Sequence, residues 1–301
     1  MRPDASIHPS LAIAVSSRAL FDTEDSHAAF TSGGLDGFTR HERENAGALL
    51  EPGPGFELVR RVHHWGKEAG VKVTIAVVSR RDPVTGGRIL RSLAHHGIDR
   101  VEGCFTNGAT EIVPYVQGFG ADLFLSRDAA DVQAAVDLGI PAAQMTGIAA
   151  LHGHEELRLA FDGDAVLFSH ETERHYLENG LEAFLQRENE LFDVPLEPGP
   201  LLPFVRALDG IQKAVGRRLF RTALTTARQG YASERAIRTL AGWGLAFDEA
   251  HFCGDTPKAG LLRAFRPHIF FDDSDRHIGP ASDVVGSGKV PWRRAEPAEA
   301  G

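Results

Sequence analysis

The sequence predicts an α/β protein built from two similar halves, and three observations support this. Apolar runs typical of buried strands alternate with segments in which apolar residues recur every three or four positions, the spacing of helices. Such alternation favours parallel strands covered by helices. Short pieces of sequence also recur in the same order. The similar pieces that begin at residues 51 and 197, for example, lie 146 positions apart. The chain of 301 residues, 43% of them hydrophobic, is long enough to bury a large core.

The apolar runs and helical segments give a coarse map of the chain. Strands are predicted at residues 11–15, 71–78, 122–125, 157–161, 221–225 and 268–271. Helices are predicted at residues 56–69, 86–96, 201–214 and 233–243. Pro/Gly-rich pieces at 51–55 and 197–200 precede two of these helices and would start them. The polar segment 288–301 is predicted to fray as a tail.

The recurring pieces indicate an internal duplication. Residues 11–16 resemble residues 157–162, and residues 122–126 resemble residues 268–272, each pair 146 positions apart. Because these pieces keep their order, chance similarity between two α/β halves is the weaker explanation. The two halves would join near residues 140–156.

Comparison of the halves separates scaffold from chemistry. Features present in both, such as Arg80 and Arg228 after corresponding strands, can be explained by the shared fold. Charged residues found only in the second half are the candidates for reactivity. These are Asp162, Asp164, Lys258, Asp272 and Asp273, where the first half has Ser16, Arg18, Glu111 or Ile112, Ser126 and Arg127. The first half is therefore not expected to run the same reaction.

Four groups of residues follow apolar segments of the second half. In chain order they are Asp162 with Asp164, then Thr226, then Lys258, then Asp272 with Asp273. In open α/β sheets ligands bind at the carboxyl ends of the strands, so these side chains are expected to meet at one site. Their order is that of the four motifs of the haloacid dehalogenase superfamily of phosphohydrolases.

Longer strings carry a closer resemblance. AVSSRALF at 14–21, AFDGDAVLFS at 160–169, TAR at 226–228 and RPHIFFDD at 266–273 resemble the cytosolic 5'-nucleotidases of the first class, the AMP-preferring type. The resemblance extends from about Leu11 to His277.

The resemblance implies a domain organisation. It implies two haloacid-dehalogenase-like, Rossmann-type halves: a degenerate, non-catalytic half at residues 1–150 and a catalytic half at 151–290. A small helical cap would be inserted at about 169–218, and residues 291–301 would form a flexible tail.

The resemblance also implies a reaction, the Mg²⁺-dependent hydrolysis of nucleoside 5'-monophosphates, AMP among them. Asp162 would be the nucleophile that forms an aspartyl-phosphate, and Asp164 would be the general acid and base. Lys258 and the Thr226 hydroxyl would bind the phosphoryl group, with Thr225 as the alternative hydroxyl. Mg²⁺ would be held by Asp162, by the Asp164 backbone carbonyl, and by Asp272, Asp273 or both.

Several alternatives stay open at this point. Arg228, Arg18 and Ser16 are candidates for substrate contacts, although Arg228 could instead brace a helix. The first half could contact substrate, or it could provide a dimerisation or nucleotide-effector surface, so effector binding and a homo-oligomer are both open. The substrate could be another small phosphate ester, or the protein could bind and sense nucleotides without turnover.

Composition excludes several other classes of function. The net charge of −9 and the lack of basic blocks with interleaved aromatic residues argue against nucleic acid as a partner. No apolar run approaches the length of a membrane span, so we expect a cytoplasmic protein without a membrane partner. Cys104 and Cys253 are the only cysteines, too few for a disulfide framework or a cysteine zinc site. His63–His64, His95–His96 and His152 with His154 are interpreted as surface or packing histidines.

Overall fold

The computed structural model describes residues 9–108, 111–151 and 153–294, which form one ten-stranded sheet with helices packed on it. The strands are β1 (Ser10–Ser16), β2 (Lys72–Ser79), β3 (Glu102–Phe105), β4 (Leu123–Ser126), β5 (Ala142–Thr146), β6 (Leu157–Phe161), β7 (Phe220–Thr226), β8 (Glu249–Phe252), β9 (Ile269–Asp272) and β10 (Gly286–Lys289). The helices are α1 (Ser17–Leu20), α2 (Glu24–Glu44), α3 (Phe56–Glu68), α4 (Pro83–His95), α5 (Val113–Gly118), α6 (Ala129–Asp137), α7 (Glu171–Glu190), α8 (Leu202–Val215), α9 (Tyr231–Gly242), α10 (Lys258–Phe265) and α11 (Asp275–Ser282).

The sheet consists of two sets of five strands, and the strands within each set are parallel to one another. The strand order is β3-β2-β1-β4-β5-β10-β9-β6-β7-β8, and only the β5–β10 pair is antiparallel among the paired strands described. The mixed α/β fold with a mostly parallel, Rossmann-like sheet that the sequence predicts is therefore confirmed. Because the two sets run in opposite directions, their carboxyl ends lie at opposite edges of the sheet.

The two sets share strand order and register. Ile13 lies opposite Leu123 on β1 and β4, and Leu159 lies opposite Ile269 on β6 and β9, so both positions are displaced by 146. Ile13 also lies opposite Ile75, whereas Leu159 lies opposite Thr222, a displacement of 147. One residue is therefore added between the first two strands of the second set. With this shift, Arg228 of the second half corresponds to Arg81 of the first half. The predicted correspondence of Arg228 with Arg80 is wrong by one position.

All six predicted strands and all four predicted helices are present, with ends that differ by three residues or fewer. The long buried runs are recognisable because strands covered on both faces are almost continuously apolar.

The prediction that a frayed tail begins at residue 288 is wrong. Gly286–Lys289 is strand β10, buried between β5 and β9. Beyond it, Arg294 pairs with Asp137, and residues 295–301 lie outside those described.

The hydrophobic core is shared by the two halves. One cluster of buried apolar side chains includes Ile13 and Val59 from the first half with Leu159 and Phe204 from the second. Helix α8 contributes its whole apolar face to this core and contacts β1. Within the cap predicted at 169–218, α8 is therefore a core helix, and Leu196 and Leu201 just before it also belong to the core. Among the described helices, none has both the length and the apolar character that a membrane crossing requires.

Candidate functional site

The carboxyl ends of β6 and β9 bring two buried aspartates together. Asp162 follows β6 and Asp272 ends β9, and the two residues are 7% and 0% exposed. The strands are neighbours in the sheet, with Phe161 opposite Phe271. Asp162 Oδ1 accepts a hydrogen bond from its neighbour Gly163 N at 2.6 Å, at the start of a wide turn over Gly163–Leu167. The strand ends thus supply two acids to one point, as the sequence predicts.

Lys258 lies between these two acids. Its Nζ is 2.8 Å from Asp162 Oδ2 and 2.7 Å from Asp272 Oδ2, and the lysine is 3% exposed. Burial opposes the charged ammonium, but the carboxylates of Asp162 and Asp272 outweigh that effect and raise the pKa of Lys258. The lysine is therefore a fixed positive charge at the strand ends.

The cluster has the donor set of a site for a hard divalent cation. Side-chain atoms of Asp162, Asp272 and His277 lie within 4.8 Å of one another, the one such group found among the described residues. His277 Nδ1 is 3.1 Å from Asp272 Oδ2. Two buried carboxylates share a single ammonium, and burial raises the pKa of Asp162 well above the usual aspartate range. A divalent cation would supply the positive charge that this arrangement lacks, so the two carboxylates fit such an ion.

Asp164 is held by Arg228 rather than directed into this cluster. Arg228 Nε and Nη2 donate to the two carboxylate oxygens of Asp164 at 2.8 and 2.7 Å. The same guanidinium donates through Nη1 to Glu188 and to the Ala232 carbonyl. Burial opposes its charge, but Asp164 and Glu188 outweigh the burial and raise the pKa of Arg228. Because protein groups engage all three of its nitrogens, the bracing role fits Arg228 better than a direct substrate contact.

Glu188 connects this pair to helix α7. It lies in α7, is fully buried, and its two carboxylate oxygens accept from Arg228 and Arg235 at 2.5 and 2.6 Å. Arg235 belongs to α9. The Arg228–Glu188–Arg235 triad therefore ties α7 to the end of β7 and to α9, and it fixes the position from which Arg228 holds Asp164.

The two threonines that end β7 face different surroundings. A side chain on Gly163 would meet Thr226 Oγ1 at 3.2 Å, so the Thr226 hydroxyl lies directly beside the turn that follows Asp162. Thr225 Oγ1 instead contacts His251 Nδ1 at 3.0 Å. Alternation of side chains along a strand explains the contrast. The geometry favours Thr226 as the hydroxyl nearest the acids.

Two further acids surround the cluster. Asp273 lies outside it and accepts a hydrogen bond from Trp292 Nε1 at 3.1 Å. Burial, together with the charge of Asp272, raises the pKa of Asp273 to about 7. Glu173, in the first turn of α7, lies close enough to Asp164 and His277 to interact electrostatically, and burial is the main cause of its raised pKa. Of the two adjacent aspartates, the geometry therefore favours Asp272 as the ligand.

The structure does not bring Ser16 and Arg18 to this site. They follow β1, whose carboxyl end lies at the opposite edge of the sheet from that of β6. Ser16 caps α1 by accepting from Ala19 N, and Arg18 pairs with Glu24 at 3.5 Å. As candidates for contact with a substrate at the second-half site, Ser16 and Arg18 are therefore ruled out. The antiparallel joining of the two sets could not be read from the sequence.

Sequence reasoning missed His277 and Glu188. No motif marks either, since each acts through a partner distant in the chain or on another element. Comparison of the halves could have identified Glu188, because Glu42, 146 positions earlier, is buried between Arg81 and Arg88 in the same way. Three of the histidines interpreted as surface or packing residues can be placed as follows. His63 lies 3.2 Å from Asp99, His96 packs on Phe56, and His152 lies outside the described residues.

Comparisons with known proteins show to which family the chain belongs. A family model described as 5'-nucleotidase matches residues 3–297. A human protein named cytosolic 5'-nucleotidase 1B is 36% identical over 286 residues, which cover 89% of this chain. The match covers 46% of that relative, so the chain spans about half the length of the curated relative. No solved structure is significantly similar to the chain. Because the family model covers nearly every residue, the chain belongs to the 5'-nucleotidase family.

Proposed function

We propose that the protein is a Mg²⁺-dependent 5'-nucleotidase that hydrolyses nucleoside monophosphates, AMP among them, to a nucleoside and phosphate. The observation that carries this proposal is the buried Asp162–Lys258–Asp272 cluster at neighbouring strand ends in a chain of this family. The name of the human relative includes the word cytosolic, and we extend that location to this protein.

Asp162 is the nucleophile in this proposal. An Asp162 oxygen attacks phosphorus, the bond from phosphorus to the ribose oxygen breaks, and an aspartyl-phosphate forms that water then hydrolyses. Lys258 holds an Asp162 oxygen at 2.8 Å and presents its charge to the phosphoryl oxygens. Bound Mg²⁺, held by Asp162 and Asp272 with His277 nearby, would neutralise further charge on the phosphoryl group.

Asp164 is the proposed acid and base, and its pairing with Arg228 gives the proposal a conformational step. Both carboxylate oxygens of Asp164 accept hydrogen bonds from Arg228, so neither is directed toward a leaving oxygen. To protonate the leaving ribose oxygen, Asp164 must turn away from Arg228. Because Arg228 is tied to α7 through Glu188, substrate binding beneath α7 is the event that we expect to release Asp164.

We also propose that the chain arose by duplication, with a non-catalytic half at 1–150, a catalytic half at 151–290 and α7 as the reduced cap. Equal strand order and nearly constant register displacement support this. Both halves also have a long helix kinked at a glycine, Gly34 in α2 and Gly180 in α7.

Phosphate release from a panel of nucleoside monophosphates and sugar phosphates, with and without Mg²⁺, tests the activity. We expect Mg²⁺-dependent release from AMP and loss of at least about 1000-fold in Asp162→Asn, since the nucleophile is removed. Asp193→Asn, at a side chain 83% exposed, is the matched control and should retain full activity. Substantial Mg²⁺-dependent turnover by Asp162→Asn would refute the mechanism, and preference for sugar phosphates would refute the substrate class.

A further inference from the structure

The first half contains a cavity of its own at the carboxyl ends of β1, β2 and β4. It has a volume of about 490 Å³, within the range of small-molecule sites. Its lining includes Ser16, Arg18, Ser126 and Arg127. Because the two sets of strands run in opposite directions, this cavity lies at the opposite edge of the sheet from Asp162 and cannot belong to the catalytic site.

The charges at this cavity are the reverse of those at the catalytic site. The shared register displacement of 146 places Ser16 and Arg18 where the second half has Asp162 and Asp164. It likewise places Ser126 and Arg127 at the counterparts of Asp272 and Asp273. Two guanidinium groups and two hydroxyls therefore replace four carboxylates. A set of this kind cannot collect a cation, but it can bind an anion directly.

One carboxylate of the protein already lies between these arginines. Glu24 forms an ion pair with Arg127 and lies 3.5 Å from Arg18. Its side chain is 52% exposed, so a ligand could displace it at little cost. The three acids that line the cavity have structural partners: Asp131 pairs with Arg80, and Asp82 and Asp128 cap α4 and α6.

Two polar atoms at the cavity have no hydrogen-bond partner. Among the residues that the structure describes, Arg18 Nε and Thr23 Oγ1 are buried without a hydrogen-bond partner. Thr23 lines the cavity and is 3% exposed. A buried polar atom without a partner destabilises the folded protein, and an oxyanion would supply the missing acceptor.

An aromatic wall faces these polar groups. Phe30 and Phe38 of α2 line the cavity with ring centroids 6.5 Å apart, and Phe30 is 48% exposed. The Arg81 guanidinium lies 5.1 Å from the centre of the Phe38 ring. A flat ring carried by the ligand could stack on the exposed Phe30.

We propose that the first half binds a phosphate-bearing small molecule without hydrolysing it, with Arg18 and Arg127 on the phosphate and Phe30 against an aromatic ring of the ligand. The replacement of both catalytic carboxylates by Ser16 and Arg18 explains why binding would not lead to turnover. The shared chemistry is a phosphate dianion, and free phosphate and a nucleoside monophosphate are the two sources to be distinguished.

Equilibrium binding to the Asp162→Asn protein tests the proposal, with AMP and inorganic phosphate as the probes. We expect Arg18→Met/Arg127→Met to lose one AMP site or to weaken it at least tenfold. The matched control, Arg238→Met/Arg263→Met, removes two exposed arginines outside the cavity and should leave both the number of sites and the affinity unchanged.

The outcomes separate the parts of the proposal. Unchanged AMP binding in Arg18→Met/Arg127→Met would overturn it. Phosphate binding as tight as AMP binding would overturn the contact between Phe30 and a ring. Should the double variant unfold at lower temperature than its parent, Arg127→Lys keeps the charge and should retain part of the affinity. Loss of catalysis in the wild-type chain would leave these results unaffected, because the cavity and the catalytic site are separate.

Discussion

At the scale of single residues, the site depends on a balance between two buried acids and one buried base. Lys258→Met removes the only ammonium that the structure places between Asp162 and Asp272. We expect phosphate release to fall at least about 100-fold, because a preorganised charge is lost from the proposed phosphoryl site. Removing one partner of a buried ion pair also costs about 3–5 kcal/mol, partly relieved if an aspartate takes up a proton.

Lys213→Met is the control for this loss. Lys213 pairs with Asp209 on α8 but is 64% exposed, and such pairs contribute about 0–1 kcal/mol. Activity and denaturant midpoint should both stay near the wild-type values. Equal effects of the two substitutions would contradict a special role for Lys258.

The two adjacent aspartates should differ in the same assay. Asp272 is fully buried within the Asp162–Lys258–His277 cluster, whereas Asp273 bonds to Trp292. We expect Asp272→Asn to abolish Mg²⁺-dependent phosphate release. Asp273→Asn should cost about 10-fold, as expected for a group behind the direct ligands. The remaining activity of each variant would then be titrated with Mg²⁺. A larger shift of the Mg²⁺ requirement in Asp273→Asn than in Asp272→Asn would contradict Asp272 as the metal ligand.

At the scale of elements, the same Arg–Glu–Arg triad holds the long helix of each half. Glu188→Ala leaves Arg228 and Arg235 buried without their shared acid, and Glu42→Ala does the same to Arg81 and Arg88. Urea unfolding should show a loss of about 3–5 kcal/mol for each. Only Glu188→Ala should also lower kcat for the remaining folded enzyme, because only Arg228 holds Asp164. Equal kcat values for the two variants would disprove the link between α7 and Asp164.

The start of α4 gives a prediction of pH dependence. Asp82 caps this helix through the amides of Val84 and Thr85. Burial acts to raise the pKa of Asp82, but the hydrogen bonds outweigh it and lower that pKa below the usual range. The stabilisation is therefore present above the unfolded-state pKa near 4 and lost as pH falls through the lower folded-state pKa. Asp82→Ala should cost about 1 kcal/mol at neutral pH. In unfolding curves this difference from wild type should shrink toward pH 2.

The elements differ in how far the sequence predicts them, for physical reasons. Strands β1, β2 and β7 have seven or eight residues and are mostly buried, so their apolar runs stand out. Strand β3 has only four residues, none of them fully buried. Helix α7 is polar on average and kinked at Gly180, which weakens its periodicity. The acids and Lys258 could be predicted because they follow strands in a known order, whereas His277 acts through contacts that only folding creates.

At the scale of the whole molecule, strand β10 joins the two sets of strands, and its composition does not predict that role. The strand consists of Gly286, Ser287, Gly288 and Lys289, which has no apolar run. Its small residues are required by close packing, since a side chain at position 288 would meet the Phe271 ring at 2.8 Å and Ala143 Cβ at 3.0 Å. Separations this short force neighbouring strands apart.

Gly288→Val should therefore destabilise the entire sheet. Overpacking in a core costs about 1–3 kcal/mol, and here it acts on the strand between β5 and β9. Because this strand contacts both sets, we expect one cooperative urea transition at a lower midpoint, not the loss of a single half. Gly279→Ala, in α11 with open space around it, should leave the midpoint unchanged or slightly higher. An unshifted transition in Gly288→Val would mean that β10 does not pack between the two sets, and a second transition would mean that the halves unfold separately.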